Sequence, residues 1–128
     1  MSHHDFDDRG LPDGYHLNET WEKPPREIAR QLADGDDDVV LIDCREPVER
    51  DAASLEPSDL IPLGEFPARA PELAEDYEGR QVIVFCHHGQ RSLQATALLR
   101  QAGHQDVWSL AGGIDLWSQA INPNIPRY

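Results

Sequence analysis

Three short runs of apolar, mostly β-branched residues constrain the fold of this chain more than any other feature. They are VVLID at residues 39–43, QVIVF at residues 81–85 and DVWSL at residues 106–110. In the first two runs the apolar residues are continuous, as expected for strands that are buried on both faces. Such strands are typical of parallel sheets that helices cover on both sides.

Helical patterns lie between and around these runs. Residues 92–103 carry apolar side chains at helical spacing and end at Gly103, which provides a stop signal. Further helices are predicted for PPREIARQLADG at 24–35, APELAEDY at 70–77 and GIDLWSQA at 113–120. A strand, a helix and a second strand in this order imply a right-handed parallel crossover. The sequence therefore predicts an α/β fold, a mostly parallel sheet flanked by helices on both faces.

The length of 128 residues fits one domain that needs no disulfide or metal to fold. Residues 1–14 are polar, rich in Asp and Gly and without periodicity, so we expect a flexible acidic arm there and the domain over residues 15–128. The chain has only two cysteines, no apolar run of transmembrane length and no basic-then-apolar leader. We therefore expect a soluble, cytoplasmic protein that does not enter a membrane.

The charge of the chain argues against nucleic acid as a partner. The net charge is -13, and phosphate contacts require clustered Lys and Arg. The acid is concentrated in residues 1–60, which hold 17 Asp and Glu against six Lys and Arg; residues 61–128 hold seven against five. The second half is nearly balanced, so an anionic substrate could approach it, whereas the acidic half is typical of a solvated surface.

Cys86 directly follows the strand QVIVF. Ligands of open parallel sheets bind beyond the carboxyl ends of the strands, so this is where a functional loop is expected. The chain must turn from strand to helix within the next five residues, His87, His88, Gly89, Gln90 and Arg91. Gly89 permits the required backbone angles, and successive amides at the helix N-terminus would form an anion cradle. A thiol at its centre would be stabilised as a thiolate, although a cysteine at such a position often serves only as a small apolar residue.

Cys44 is a weaker candidate for a reactive thiol than Cys86, and a metal site at the loop is a weaker hypothesis than an anion cradle. Cys44 lies in DCRE with acids on both sides, which raises a thiol pKa, so we predict a structural role. The run of Cys86, His87 and His88 contains zinc-ligand types. Three adjacent residues in a tight turn cannot easily face one ion, and no second ligand pair stands at a finger-like spacing, so no metal is expected.

Three motifs together resemble the rhodanese family of sulfurtransferases over about residues 18–120. They are DCREPVE at 43–49, CHHGQRS at 86–92 and LAGGIDLW at 110–117. The resemblance implies a single rhodanese-like domain without a cofactor, in which Cys86 heads a six-residue active-site loop. It also implies a double displacement. The Cys86 thiolate takes the outer sulfur of thiosulfate or another small anionic donor, and the persulfide passes it to cyanide, a thiol or a protein.

The same resemblance assigns roles to individual residues. The loop residues His87, His88, Gly89, Gln90 and Arg91, together with Arg45, are expected to bind substrate. Arg91 would shape the loop and bind the anion, or else bond loop carbonyls only. Arg45 would reach the mouth of the site, or else pair with Glu46 or Glu49. Gly112 and Gly113 would form the turn into the last helix, where Ile114 and Trp117 pack in the core.

Two further segments bear on specificity. The family usually places a histidine and a glycine before its third strand, and SLEPSDLIPLGEF at 54–66 lacks both. The tail GGIDLWSQAINPNIPRY at 112–128 resembles rhodanese domains fused to enzymes that adenylylate small sulfur-carrier proteins. This likeness implies a role in sulfur transfer for cofactor synthesis, with a sulfur-carrier or thioredoxin-like protein as acceptor.

Two other functions remain open. A cysteine phosphatase or arsenate reductase of related fold has five residues between cysteine and arginine, whereas four intervene here. The shorter loop suits a sulfur atom better than a tetrahedral phosphate. A non-catalytic rhodanese-like docking module is the second alternative; such modules commonly lack the cysteine, which this chain retains.

Overall fold

The computed structural model describes residues 6–128 and contains one five-stranded sheet in which all paired strands are parallel. The strands are β1 Glu22–Lys23, β2 Val39–Asp43, β3 Asp59–Leu60, β4 Gln81–Phe85 and β5 Val107–Leu110, in the order β1-β5-β4-β2-β3. The helices are α1 Pro25–Ala33, α2 Pro47–Ala52, α3 Phe66–Asp76, α4 Gln90–Gln101 and α5 Gly113–Ala120. None of these helices is both long and apolar enough to span a bilayer. The predicted α/β architecture is confirmed.

The continuous apolar runs form the central strands because both sheet faces are covered. Alternate residues of β2 and β4 point to opposite sides, so Val40, Ile42, Val82 and Val84 pack on one face. The side chains of α3 and α4 in that cluster are Phe66, Ala70, Leu73, Ala95 and Leu99. On the other face Leu41, Ile83 and Phe85 pack against Ile28 of α1 and Ile114 and Trp117 of α5. The core therefore lies on both sides of the strands and leaves their carboxyl ends free for a site.

Three short elements were not predicted from the sequence. β1 and β3 have two residues each, and α2 has six, which is too short for a hydrophobic period to show. β3 and a 3₁₀ turn at Leu63–Glu65 occupy the segment 54–66, where the expected histidine and glycine are absent. Leu63 donates its N–H to the carbonyl of Cys44 at 3.0 Å, so this segment closes over the end of β2.

Residues 6–12, which the sequence assigns to the acidic arm, make several contacts. Phe6 and Pro12 form an isolated bridge, and the N–H of Arg26 donates to the carbonyl of Arg9 at 3.0 Å. Leu11 is 1% exposed, in a small cluster with Ala111 and Leu116, because its apolar side chain can be buried beside α5. Residues 1–5 lie outside the described part, and the domain boundary at residue 15 stays a prediction.

Candidate active site

Cys86 lies at the carboxyl end of β4, where the turn into α4 closes around its sulfur. The residue is 1% exposed. The N–H groups of Gly89 and Ser92 donate to its Sγ at 3.1 and 3.4 Å, and the Ser92 Oγ lies 3.4 Å from it. Gly89 has φ +107°, a left-handed conformation that turns its amide inward at the N-terminus of α4. The sequence predicted this use of Gly89 and of the amides.

These groups favour the negatively charged form of the thiol. The pKa of Cys86 is lowered to about 5, chiefly by the neighbouring Cys44 thiol. Burial opposes this effect, and the Ser92 hydroxyl with the amides of Ser92 and Gly89 adds to it. The thiolate is the nucleophilic form of cysteine, and the lowered pKa favours this form of Cys86 at neutral pH.

A second serine supports the first. Ser109 on β5 lies with its Oγ 2.7 Å from the Ser92 Oγ and donates to the carbonyl of Gly89 at 3.5 Å. Both serines are fully buried. A hydroxyl has one proton, so when Ser109 donates to Ser92 instead of to Gly89, the Ser92 proton is left for the Cys86 sulfur. The sequence contained the serine after Arg91 in its loop motif, but nothing distinguished Ser109 from other strand residues.

The N-terminus of α5 holds the loop from the other side. The N–H groups of Ile114 and Asp115 donate to the carbonyls of Cys86 and His87 at 2.9 and 3.1 Å. A side chain on Gly113, which has φ +63°, would overlap those same two carbonyl oxygens. The predicted turn at Gly112 and Gly113 is confirmed, and it also permits this close approach of two backbones. Ile114 and Trp117 are 1% and 4% exposed and pack in the core as predicted.

Arg91 lies at the rim of the site and is paired with a carboxylate. Its Nη1 and Nη2 donate to the two Glu49 carboxylate oxygens at 2.7 and 2.9 Å. Loop carbonyls, the alternative considered from the sequence, are not its partners. The Arg91 guanidinium lowers the pKa of Glu49 to about 2, so the pair is ionised at neutral pH and fastens α2 to the start of α4.

Arg45 occupies a different place from the one expected. It is fully buried and bonds both carboxylate oxygens of Asp43, each at 2.8 Å. Its remaining donors reach the carbonyls of Ala53 at 2.7 Å and Glu49 at 3.3 Å and the hydroxyl of Tyr128 at 2.9 Å. Pairing with the carboxylate of Glu46 or Glu49 is not observed, and the substrate-binding role of Arg45 stays a prediction. Asp43 is buried at the end of β2 and requires a counter-charge, which Arg45 supplies.

The histidines of the loop form an aromatic stack with the last residue. The His87 ring lies 3.9 Å from that of His88 and 3.9 Å from that of Tyr128. Burial lowers the pKa of His87, so its ring is favoured in the neutral form. The His88 side chain is 64% exposed, and Gln90 is also exposed. The substrate-binding roles of His87, His88, Gly89, Gln90 and Arg91 stay predictions.

Sequence reasoning did not find Tyr128, which connects several of these groups. Its hydroxyl donates to Glu49 Oε2 at 2.7 Å while it accepts from Arg45. Glu49 appeared in the DCREPVE motif only as an alternative partner of Arg45. The contacts of Tyr128 span 79 and 83 residues of sequence, and no local signal reports contacts of that kind.

Within the described part of the chain, His87, His88 and Asp115 could offer ligand atoms to a cation. Their ligand atoms lie within 4.8 Å of one another. The Arg127 guanidinium already bonds both Asp115 oxygens, at 2.8 and 3.2 Å, and neutralises that carboxylate. We assign no metal to this group, and the expected absence of a metal stays a prediction.

Comparison with known proteins identifies the family. Residues 25–120 match the model of the Rhodanese-like domain. A protein from Allochromatium vinosum named "Sulfurtransferase" is 36% identical over 92 residues, which cover 72% of this chain and 82% of that protein. The "Probable adenylyltransferase/sulfurtransferase MoeZ" of Mycobacterium tuberculosis is 36% identical over 109 residues, covering 81% of this chain and 26% of that protein.

A solved structure agrees with the sequence matches. The "Human Single Domain Sulfurtranferase TSTD1" superposes with a TM-score of 0.60 at 27% identity and covers 73% of this chain and 91% of that one. Six of the curated relatives are much longer proteins, of which the matched region makes up between 21% and 31%. The family match, the parallel sheet and the cysteine loop at the end of β4 agree, and the chain belongs to the rhodanese-like domain family, with sulfurtransferases among its relatives.

Proposed function

We propose that this protein is a sulfurtransferase that moves sulfane sulfur from thiosulfate or a persulfide donor through a Cys86 persulfide to a thiophilic acceptor. In the first step the Cys86 thiolate attacks the outer sulfur of thiosulfate. The bond between the two thiosulfate sulfurs breaks, sulfite leaves with the electron pair, and Cys86 carries a persulfide anion. In the second step cyanide takes the outer sulfur as thiocyanate, or a thiol takes it as a new persulfide, and the Cys86 thiolate returns.

The contacts of the Cys86 sulfur carry this proposal. Two amides and one hydroxyl surround an Sγ whose pKa is lowered to about 5, so the nucleophile is ionised before the donor arrives. The same donors and the N-terminus of α4 favour negative charge on the persulfide that forms. Arg91 is neutralised by Glu49, so the backbone and the helix supply much of the attraction for an anion.

The closed environment of Cys86 favours sulfur over phosphate. The residue is 1% exposed, and its loop has four residues between cysteine and arginine. A terminal sulfur atom is small enough to approach such a sulfur, whereas a phosphate ester needs amides around three oxygens. We therefore expect no turnover of an aromatic phosphate, and turnover comparable with sulfur transfer would favour the phosphatase alternative.

The acceptor we propose is a protein, either a small sulfur carrier or a thioredoxin-like protein. The name of the similar Mycobacterium tuberculosis protein joins an adenylyltransferase to a sulfurtransferase. Adenylylation activates the C-terminus of a sulfur carrier for attack by a persulfide. The region of this chain that matches that protein includes the Cys86 loop, so a persulfide here would supply the sulfur for such an attack.

Intact mass spectrometry of the purified, reduced protein tests the proposal. A short incubation with thiosulfate should add the mass of one sulfur atom, and cyanide should then remove it with release of thiocyanate. Cys86→Ser should show neither change. If wild type and Cys86→Ser behave alike, the proposed function is wrong.

A further inference from the structure

The second cysteine lies directly beside the first. Asp43 and Phe85 are paired across β2 and β4, and the N–H of Cys44 donates to the carbonyl of Phe85 at 3.0 Å. Cys44 and Cys86 are therefore the next pair along the same two strands. Both belong to the same apolar cluster, both are buried, and both are free thiols.

This arrangement fits the dimensions of a disulfide. Neighbouring strands lie about 4.8 Å apart, and the Cα atoms of bonded cysteines lie about 4.4–6.8 Å apart. The spacing of the two strands is therefore compatible with a Cys44–Cys86 disulfide. Both side chains belong to the apolar cluster on the face of the sheet that α3 and α4 cover.

We propose that Cys44 acts as a resolving thiol that discharges the Cys86 persulfide as hydrosulfide. This inference rests on the proposed function, because it requires sulfur on Cys86. The Cys44 sulfur attacks the inner sulfur of the persulfide and forms a Cys44–Cys86 disulfide. The bond between the inner and outer sulfurs breaks, and the outer sulfur leaves with the electron pair and the Cys44 proton as HS⁻.

The electrons of this step balance without an external oxidant. The sulfane sulfur is reduced to sulfide, and the two cysteines are oxidised to a disulfide. A dithiol reductant of the thioredoxin class then returns both thiols and itself becomes a disulfide. A persulfide that meets an acceptor transfers its outer sulfur to it. When no acceptor binds, Cys44 displaces the outer sulfur as hydrosulfide.

The charge on Cys86 controls when Cys44 reacts. In the resting site the Cys44 pKa is raised above its ordinary value, chiefly through its interaction with the Cys86 thiol. Cys44 therefore keeps its proton while Cys86 is the thiolate. Once Cys86 carries the added sulfur, the negative charge lies on the outer sulfur atom. The interaction that raises the pKa of Cys44 is therefore weaker.

A matched pair of variants tests the inference. Wild type, Cys44→Ser and Cys44→Val are loaded with thiosulfate under anaerobic conditions, freed of excess donor, and followed by intact mass and sulfide assay. Wild type should gain one sulfur atom and then pass to a species lighter than the reduced protein by two hydrogen atoms, with one equivalent of sulfide. In both variants the persulfide should persist at least about tenfold longer.

Serine keeps a hydrogen-bond donor beside Cys86, and valine keeps the apolar packing. An effect that both variants share therefore reports the loss of the Cys44 sulfur atom. A wild-type persulfide as durable as theirs, with no sulfide, overturns the inference and leaves the proposed function intact. Absence of added sulfur on all three proteins contradicts both the inference and the proposed function.

As a second measurement, oxidation with azodicarboxamide should remove two hydrogen atoms from wild type but not from Cys44→Ser. Failure of the wild-type pair to close under this oxidant also overturns the inference.

Discussion

The carboxyl ends of β2 and β4 are adjacent, and each carries a buried cysteine, yet the two thiols have opposite properties. After β4 the chain turns at once into α4, and two amides donate to the Cys86 sulfur. After β2 the chain bends at Arg45, and α2 begins only at Pro47. The pKa of Cys86 is lowered to about 5, whereas that of Cys44 is raised.

The comparison indicates that the turn decides which of the two thiols is ionised. Each thiol is the chief influence on the pKa of the other, and only Cys86 also receives backbone amides. Both cysteines extend strands of five residues and pack on the same face of the sheet. Only one of them is followed by a left-handed glycine that turns amides back toward the sulfur. The end of β2 instead contains a buried ion pair of Asp43 and Arg45, in which the Arg45 guanidinium is already paired with a carboxylate.

Exchange of each cysteine should show the largest difference between the two strand ends. Cys86→Ser should abolish thiosulfate:cyanide sulfurtransferase activity, because the hydroxyl is not ionised in the cradle and cannot form a persulfide. Cys44→Ser should lose less than about tenfold, since the amides around Cys86 remain. Initial rates of thiocyanate formation decide this. Substantial activity in Cys86→Ser would contradict the mechanism.

The contact of α5 with the loop should be the next most sensitive feature. Gly113→Ala should cost more than about 3 kcal/mol of unfolding free energy, because its side chain meets two backbone carbonyls that cannot move away. Gly35→Ala is the control. It has a similar positive φ, +75°, but open space around it, so only about 1 kcal/mol is expected. Urea unfolding monitored by tryptophan fluorescence measures both variants, and equal losses would refute the role of the contact.

Removal of the Arg91 guanidinium should reduce activity by more than about tenfold, because the loop loses a charge and its link to α2. Glu49→Gln is the matched variant, since it keeps the shape of the partner but removes its charge. If the arginine acts only through that link, the two variants should be impaired equally. If Arg91 also attracts the donor, Arg91→Ala should have the higher KM for thiosulfate. Normal activity of a folded Arg91→Ala protein would show that the assigned role is wrong.

The smallest expected effect is on the pH dependence of activity, which should distinguish the roles of the two thiols. The thiolate is the active form, so kcat/KM for thiosulfate should be constant near neutrality and fall as pH decreases through about 5, the pKa of Cys86. Cys44→Val removes the thiol beside Cys86 and should move this midpoint upward by about one pH unit. Cys44→Ser keeps a donor and should move it less. An unchanged midpoint in Cys44→Val would show that Cys44 does not stabilise the thiolate.

The sequence predicted the central strands and the cysteine loop because their signals are local. A continuous apolar run, a cysteine at its end and a glycine three residues later lie within the single segment 81–92. Parallel pairing then places the loop at the carboxyl edge of the sheet. These features account for the fold class and for the position of Cys86.

The sequence could not predict contacts between distant residues. The Arg91 and Glu49 pair spans 42 residues, and Tyr128 reaches Arg45 across 83. Arg45 was expected at the mouth because its position follows a strand end, but the buried charge of Asp43 two residues earlier holds it in the interior. A two-residue strand such as β1 is too short to show an alternating pattern of apolar residues. It can be assigned only from its pairing in the assembled sheet.

The most direct test is to locate the transferred sulfur on the chain. Trypsin should separate the two cysteines, since Cys44 falls in residues 31–45 and Cys86 in residues 81–91. Protein treated briefly with thiosulfate is trapped with an alkylating reagent, digested and analysed by mass spectrometry. The added sulfur should appear on the Cys86 peptide, with Cys44 alkylated as a simple thiol. Sulfur on the Cys44 peptide, or on neither peptide, would contradict the assignment of the reactive thiol to the end of β4.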